Sequence, residues 1–263
     1  MVILLLSCLF AIGQNNLPAV QKSVLISLEV EGVKREALLF EPSKTDAKSK
    51  PPLVFVFHGH GGTARHASRT IAIHTQWPEA FVVYPQGLPT PGQLTDPEGK
   101  RTGWQAKPGD QSDKDLKFYD TLLGNLSSKH KTGNVYITGH SNGGGFTYLL
   151  WGARGDTIQA IAPSAAGIRA IAGFPPKPVM HLAGKKDPLV KFAYQERVMA
   201  QVKKTNDCQE IGREWARNCT IYPSKKGNTP FVAMITDGDH QFPKEGAALI
   251  SRFFQEMEKS AQK

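Results

Sequence analysis

The chain has 263 residues, of which 40% are hydrophobic and 21% charged, with a formal net charge of +9. That length and balance exclude a disordered or fibrous chain and suffice for one large buried core. The basic residues are scattered in pairs such as Lys185-Lys186, Lys203-Lys204 and Lys225-Lys226, and no nucleic-acid motif accompanies them. They read as a solvated surface, with affinity for anionic polymers as the alternative.

Residues 2–12 form an uncharged apolar run too short to span a bilayer, followed by the polar Gln14-Asn15-Asn16. The run has the length of a signal-peptide core, and Ala11-Ile12-Gly13 has the small-x-small form of a cleavage site. The expected organisation is a signal peptide over 1–13, a spacer over 14–22 and a single domain over 23–263, secreted or periplasmic. Leu5-Leu6-Ser7-Cys8 also resembles a lipoprotein processing site. In that case Cys8 would carry a lipid anchor; otherwise no membrane contact is implied.

Val24 to Val30 alternates apolar and polar residues, Glu31-Gly32 turns the chain, and Lys34 to Phe40 returns it: an antiparallel hairpin. A proline-bearing loop from Glu41 to Pro52 follows. Leu53 to Phe57 and Phe81 to Tyr84 are continuously apolar, as expected of strands buried on both faces. Residues 86–112 are rich in Gly, Pro and polar residues, and a loop of that length in a compact domain is usually functional. Asp113 to Lys129 has helical spacing, and Val135 to Thr138 is another buried strand. Strands over Ile158–Pro163, Pro178–Leu182 and Phe231–Thr236 alternate with helices over Leu189–Lys203 and Lys244–Glu258. The pattern indicates an α/β fold: a mostly parallel central sheet, an N-terminal antiparallel hairpin and helices on both faces.

Gly139-His140-Ser141-Asn142-Gly143 lies between a strand and a helix, the setting of a nucleophile elbow. A serine hydroxyl attacks a carbonyl only when a base removes its proton and an acid orients that base. In α/β-hydrolases, where such elbows occur, the acid and then the histidine follow the serine in the chain. His240, in the loop after the last strand, is the expected base; the alternative is His181, which lies inside a strand. Asp187, just past the strand ending at Leu182, is the expected acid; the alternative is a helix N-cap. The oxyanion of a tetrahedral intermediate needs two N–H donors. The expected pair is the backbone N–H of Asn142 and that of His60, in His58-Gly59-His60-Gly61-Gly62.

A metal site at His58 and His60 is the competing reading of that segment. No carboxylate or further histidine stands at metal-ligand spacing beside them, so no metal is expected. Trp104, in the long loop, is a candidate stacking surface for an aromatic acid, a sugar or an acyl chain; the alternative is a tryptophan that pins the loop. Phe242, beside His240, is a second candidate for contact with substrate. If Cys8 leaves with the signal peptide, Cys208 and Cys219 form an even pair, the expectation for which is a disulfide.

These segments together resemble the secreted polyhydroxybutyrate depolymerase and feruloyl esterase group, related to carbohydrate esterase family 1. The resemblance runs from about Val24 to the C-terminal helix. It rests on Val56 to Gly62, Val83-Tyr84-Pro85-Gln86-Gly87-Leu88, Gly103-Trp104 and Gly139 to Gly144, completed by Asp187-Pro188 and His240. Many members carry a cysteine where this chain has His60. The resemblance implies an α/β-hydrolase fold, a Ser141-Asp187-His240 triad and cofactor-free ester hydrolysis. The implied substrates are feruloyl or acetyl esters of plant cell-wall carbohydrate, or short hydroxyalkanoate esters, with no nucleic acid and no stable protein partner. A serine peptidase and a non-catalytic binding protein are the alternatives.

Overall fold

The computed structural model describes residues 22–43, 50–92 and 94–262. The apolar run at 2–12, Cys8 and most of the spacer lie outside them. In chain order the elements are β1 (Ser23–Val30), β2 (Val33–Phe40), β3 (Leu53–Phe57), α1 (Ala64–Thr70), α2 (Ile73–Gln76) and β4 (Phe81–Pro85). The short β5 (Leu88–Pro89) and β6 (Thr102–Gly103) pair inside the long loop, followed by α3 (Lys114–Lys129), β7 (Val135–His140) and α4 (Asn142–Arg154). The remainder is β8 (Ala160–Ser164), β9 (Val179–Gly184), α5 (Phe192–Thr205), β10 (Arg213–Ala216), β11 (Cys219–Tyr222), β12 (Phe231–Thr236) and α6 (Gly246–Ala261).

Ten strands form one sheet in the order β1-β2-β4-β3-β7-β8-β9-β12-β11-β10. The six from β4 to β12 run parallel, and each outer pair runs antiparallel. The leading hairpin is the expected one. Its turn at Glu31 and Gly32 has φ of +50° and +78°, the positive values that match the twist of the flanking strands.

The period of two along β3 divides the core. Leu53, Phe55 and Phe57 point into one cluster with residues of α3, α4 and α5; Val54 and Val56 point into the other with residues of α1, α2 and α6. All five are at most 1% exposed, which is why the strand shows no polar alternation.

The segment carrying the two later cysteines is no plain loop: β10 and β11 extend the sheet. The expected disulfide is also absent. Cys208 and Cys219 are both buried free thiols. Cys208 packs in the cluster under α5, whereas Cys219 packs in the cluster on the opposite face. The sheet lies between the two sulfurs.

Candidate active site

Ser141 stands between β7 and α4, at the N-cap of the helix, with φ +56° and ψ −119°, a conformation that L-residues rarely adopt. Sterics around this elbow explain its two flanking glycines. A Cβ on Gly139 would collide with the Gly143 carbonyl, and one on Gly143 would collide with the carbonyls of Phe57 and His58. The sharp turn therefore needs glycine on both sides to pack against β3.

Ser141, Asp187 and His240 follow β7, β9 and β12, at the C-terminal end of the parallel strands, where open α/β sheets bind ligands. The structure brings the three into one line. Ser141 Oγ lies 2.8 Å from His240 Nε2, and His240 Nδ1 lies 2.8 Å from Asp187 Oδ2. A carboxylate only accepts, so Nδ1–H donates to Asp187 and Nε2 is left to accept from the serine hydroxyl. Two backbone bonds, Lys185 N–H to Thr236 O and Lys186 N–H to Gly238 O, tie the aspartate loop to the histidine loop.

Asp187 does not cap α5, which starts five residues later. Its Oδ1 instead accepts the N–H groups of Leu189 and Val190 at 2.9 and 2.8 Å. His140 packs its ring 5.1 Å from that of His240 and sits 3.3 Å from Ser164 Oγ. Burial, reinforced by the His240 charge, lowers the His140 pKa to about 4. A neutral His140 places no opposing charge beside an imidazolium at His240.

His60 lies on the segment after β3. Among the described residues no carbonyl accepts from the backbone N–H of His60 or of Asn142. The His60 ring is held away from the elbow chemistry, with Nε2–H donating to Asp96 Oδ2 at 3.0 Å. Asp96 also accepts the N–H of Arg101 at 2.8 Å, so one carboxylate joins the segment to the long loop. The His58 ring is spent in the same way: Nδ1–H donates to Gly59 O and Nε2 accepts from Gly87 N–H. Burial takes its pKa down to about 4. No group of three or more His, Cys, Asp or Glu able to hold a metal occurs among the described residues.

Ser141 and His240 open into a cavity of about 1770 Å³. Phe146, Leu149, Ile168, Phe174 and Tyr194 give it an apolar wall on the α4 side, and His66 and Thr70 line it from α1. Since α1 and α4 cover opposite faces of the sheet, the cleft runs across the strand ends with Ser141 between its two arms. Phe242 lines this cavity and meets His140 edge-on at 6.0 Å.

Trp104 does not line it. The indole is only 1% exposed, stacked on Phe146 and edge-on to Phe57. Its Nε1–H donates to the His58 carbonyl at 2.9 Å, so it supports the segment carrying His60 from below. The loop-pinning alternative describes its place, and the stacking-surface expectation is corrected.

Sequence reasoning missed two buried groups behind Asp187, Tyr148 and Gln195; His181, the alternative base, is buried between them and does not reach Ser141. Gln195 Nε2 donates to Asp187 Oδ2 and Val190 O, His181 meets Gln195 Oε1, and Tyr148 meets His181. The signal was present: Gln195 occupies the apolar stripe of α5 with Val198, Met199 and Val202, at helical spacing. A polar residue on such a stripe must find a buried partner.

Relatives agree with this architecture. Feruloyl esterase D of Neurospora crassa is 26% identical over 90% of this chain and 87% of its own length. The chain is thus similar in sequence to feruloyl esterases over most of its length. A probable feruloyl esterase C of Aspergillus flavus is 23% identical over 78% of this chain and 76% of its own. The acetyl xylan esterase of Aspergillus awamori superposes with a TM-score of 0.66 at 12% identity, covering 88% of this chain and 99% of that one. No protein-family model matches the chain. Together these relatives support a carboxylic-ester hydrolase of the α/β-hydrolase type. None of the three is named for a polyester.

Proposed function

We propose that this esterase is an exported serine enzyme that hydrolyses feruloyl or acetyl esters of plant cell-wall carbohydrate through an acyl-enzyme. The observation that carries the reading is the unbroken hydrogen-bond line from Ser141 through His240 to the buried Asp187, opening on the cleft. The relatives named for feruloyl and acetyl xylan esters supply the substrate class. The apolar run at 2–12 followed by a polar spacer supplies the export signal.

Ser141 Oγ attacks the ester carbonyl while His240 Nε2 takes its proton. Asp187 holds the imidazole tautomer and stabilises its cation. The backbone N–H groups of His60 and Asn142 bind the oxyanion, each worth on the order of 10²–10³ in rate. Collapse expels the alcohol, which takes the proton from His240. Water, deprotonated by the same histidine, then releases the acid. Phe242 lines the route to the reacting carbon.

Release of p-nitrophenol from its acetate and butyrate esters, with Ser141→Ala as control, tests the mechanism. The variant is expected to lose activity by a factor of at least about 10³, and full activity in it would sink the serine reading. A panel of methyl ferulate, acetylated xylan and hydroxybutyrate oligomers tests the substrate. Turnover of the oligomers alone would overturn the cell-wall assignment.

A further inference from the structure

Behind Asp187 runs a chain of polar groups that the proposed reaction does not consume. Tyr148, His181 and Gln195 are fully buried, and Asp187 is nearly so. Tyr148 Oη is 2.7 Å from His181 Nδ1, His181 Nε2 is 3.0 Å from Gln195 Oε1, and Gln195 Nε2 is 3.2 Å from Asp187 Oδ2. Each donor can be assigned. Gln195 Nε2 also lies 2.7 Å from the Val190 carbonyl, and only an NH₂ can face both a carbonyl and a carboxylate. Oε1 therefore faces His181, whose Nε2 must carry the proton. His181 Nδ1 is then an acceptor, and Tyr148 must donate to it. Burial lowers the His181 pKa to about 4, so the ring stays neutral and keeps this single tautomer at neutral pH.

The chain also closes on itself. Tyr148 sits on α4, the helix that starts just after Ser141; His181 is on β9; Gln195 is on α5. Hydrogen bonds run from Tyr148 to Asp187 and on through His240 to Ser141, and α4 covalently links Ser141 back to Tyr148. Oδ1 of Asp187 is fixed by two backbone N–H groups, so Gln195 sets the remaining freedom, the placement of Oδ2 toward His240.

Resting on the serine-esterase reading above, we infer that Gln195 is a positioning residue that aims Asp187 at His240, and that Tyr148 acts through His181 to hold the Gln195 amide in its working orientation. Buried networks of this kind act as units, so their members are not independent.

The test is a double-mutant cycle on p-nitrophenyl butyrate, with active sites counted by fluorophosphonate labelling of Ser141. Gln195→Met keeps the length and removes both polar ends; kcat per labelled site is expected to fall about tenfold with KM within about twofold. Tyr148→Phe keeps the ring and is expected to lower kcat about threefold. The double variant is expected to match Gln195→Met alone. If Tyr148→Phe costs the same in both backgrounds, or if Gln195→Met retains wild-type kcat, the inference is overturned. Should Gln195→Met fail to fold, a wild-type kcat in Tyr148→Phe overturns it instead, and a reduced kcat at unchanged KM supports it. An inert Ser141→Ala beside an unaffected Gln195→Met removes this inference only; a fully active Ser141→Ala removes the reading beneath it.

Discussion

Asn142 and Trp104 bind each other twice: the Asn142 amide accepts the Trp104 N–H at 2.7 Å and donates to the Trp104 carbonyl at 3.0 Å. The pair ties the first residue of the elbow helix to the long loop that lines the cleft. It also fills both backbone positions of a residue whose side chain is locked between Phe57 and Phe146. Asn142→Ala leaves those backbone groups without partners, a loss of about 1–3 kcal/mol in unfolding free energy. Loosening the loop is expected to raise KM for a bulky ester such as methyl ferulate more than for p-nitrophenyl acetate. Urea unfolding and the two KM values check this; an unchanged midpoint would mean that the clamp contributes nothing.

That clamp marks where the sequence stops being readable. The parallel strands were legible because burial on both faces leaves uninterrupted apolar runs such as Leu53 to Phe57. The elbow was legible because its pattern is short and contiguous between an apolar strand and a helix, although the collisions that require Gly143 come from Phe57 and His58 on the neighbouring strand end. Trp104 was not, since an irregular loop has no period to say which face of a side chain is covered. Helix α1, Ala64-Arg65-His66-Ala67-Ser68-Arg69-Thr70, buries only small residues and so shows no apolar stripe. Strands β10 and β11 lie at a sheet edge with mixed exposure, where alternation fades. Cys208 and Cys219 had a plausible spacing, but spacing carries no information about which side of a sheet each residue packs on.

The thiols give a direct check. Burial raises the pKa of both cysteines, that of Cys219 to about 11, so neither is a ready nucleophile. A disulfide closing this loop would contribute about 2–3 kcal/mol, and a reductant would remove it. Dithiothreitol is expected to leave the thermal midpoint unchanged. A thiol reagent is expected to modify Cys208 and Cys219 slowly in the native protein and rapidly in denaturant, read by peptide mass. A midpoint that falls on reduction would reinstate the bridge.

Acid stability follows from the buried histidines. His58, His74, His140 and His181 all have pKa values lowered to about 4, with burial the largest cause in each case. The unfolded histidine titrates near 6.5, so between pH 6.5 and 4 the unfolded chain binds protons that the folded one refuses. Stability is therefore fully present above pH 6.5 and is lost as the pH falls toward 4. For the fully buried His181 the loss between pH 7.5 and 5 is about 2 kcal/mol. Urea unfolding at the two pH values measures the total. His181→Asn is expected to be less stable at pH 7.5 but to lose less than the parent on acidification. An equal loss in both proteins would show that His181 is not the titrating group.

The rim of the cleft carries charge of one sign. Lys107, Arg169, Lys191 and Lys244 line the cavity, and no Asp or Glu is among its described lining residues. Lys107 lies 3.8 Å from Asp110, outside that lining. An ester that bears a carboxylate away from its scissile bond enters a field that attracts it. Each exposed cation about 8 Å from that carboxylate favours it on the order of twofold in water-like dielectric. The ratio of kcat/KM for p-nitrophenyl hemisuccinate over p-nitrophenyl butyrate reads this effect at nearly constant size. It is expected to exceed unity at 10 mM salt and to fall several-fold at 300 mM, as the screening length shrinks from about 30 Å to below about 8 Å. Arg169→Gln with Lys191→Gln is expected to lower the ratio at low salt while leaving butyrate turnover within about twofold. A ratio that ignores both salt and these substitutions would mean that the rim is solvated surface with no part in choosing the substrate.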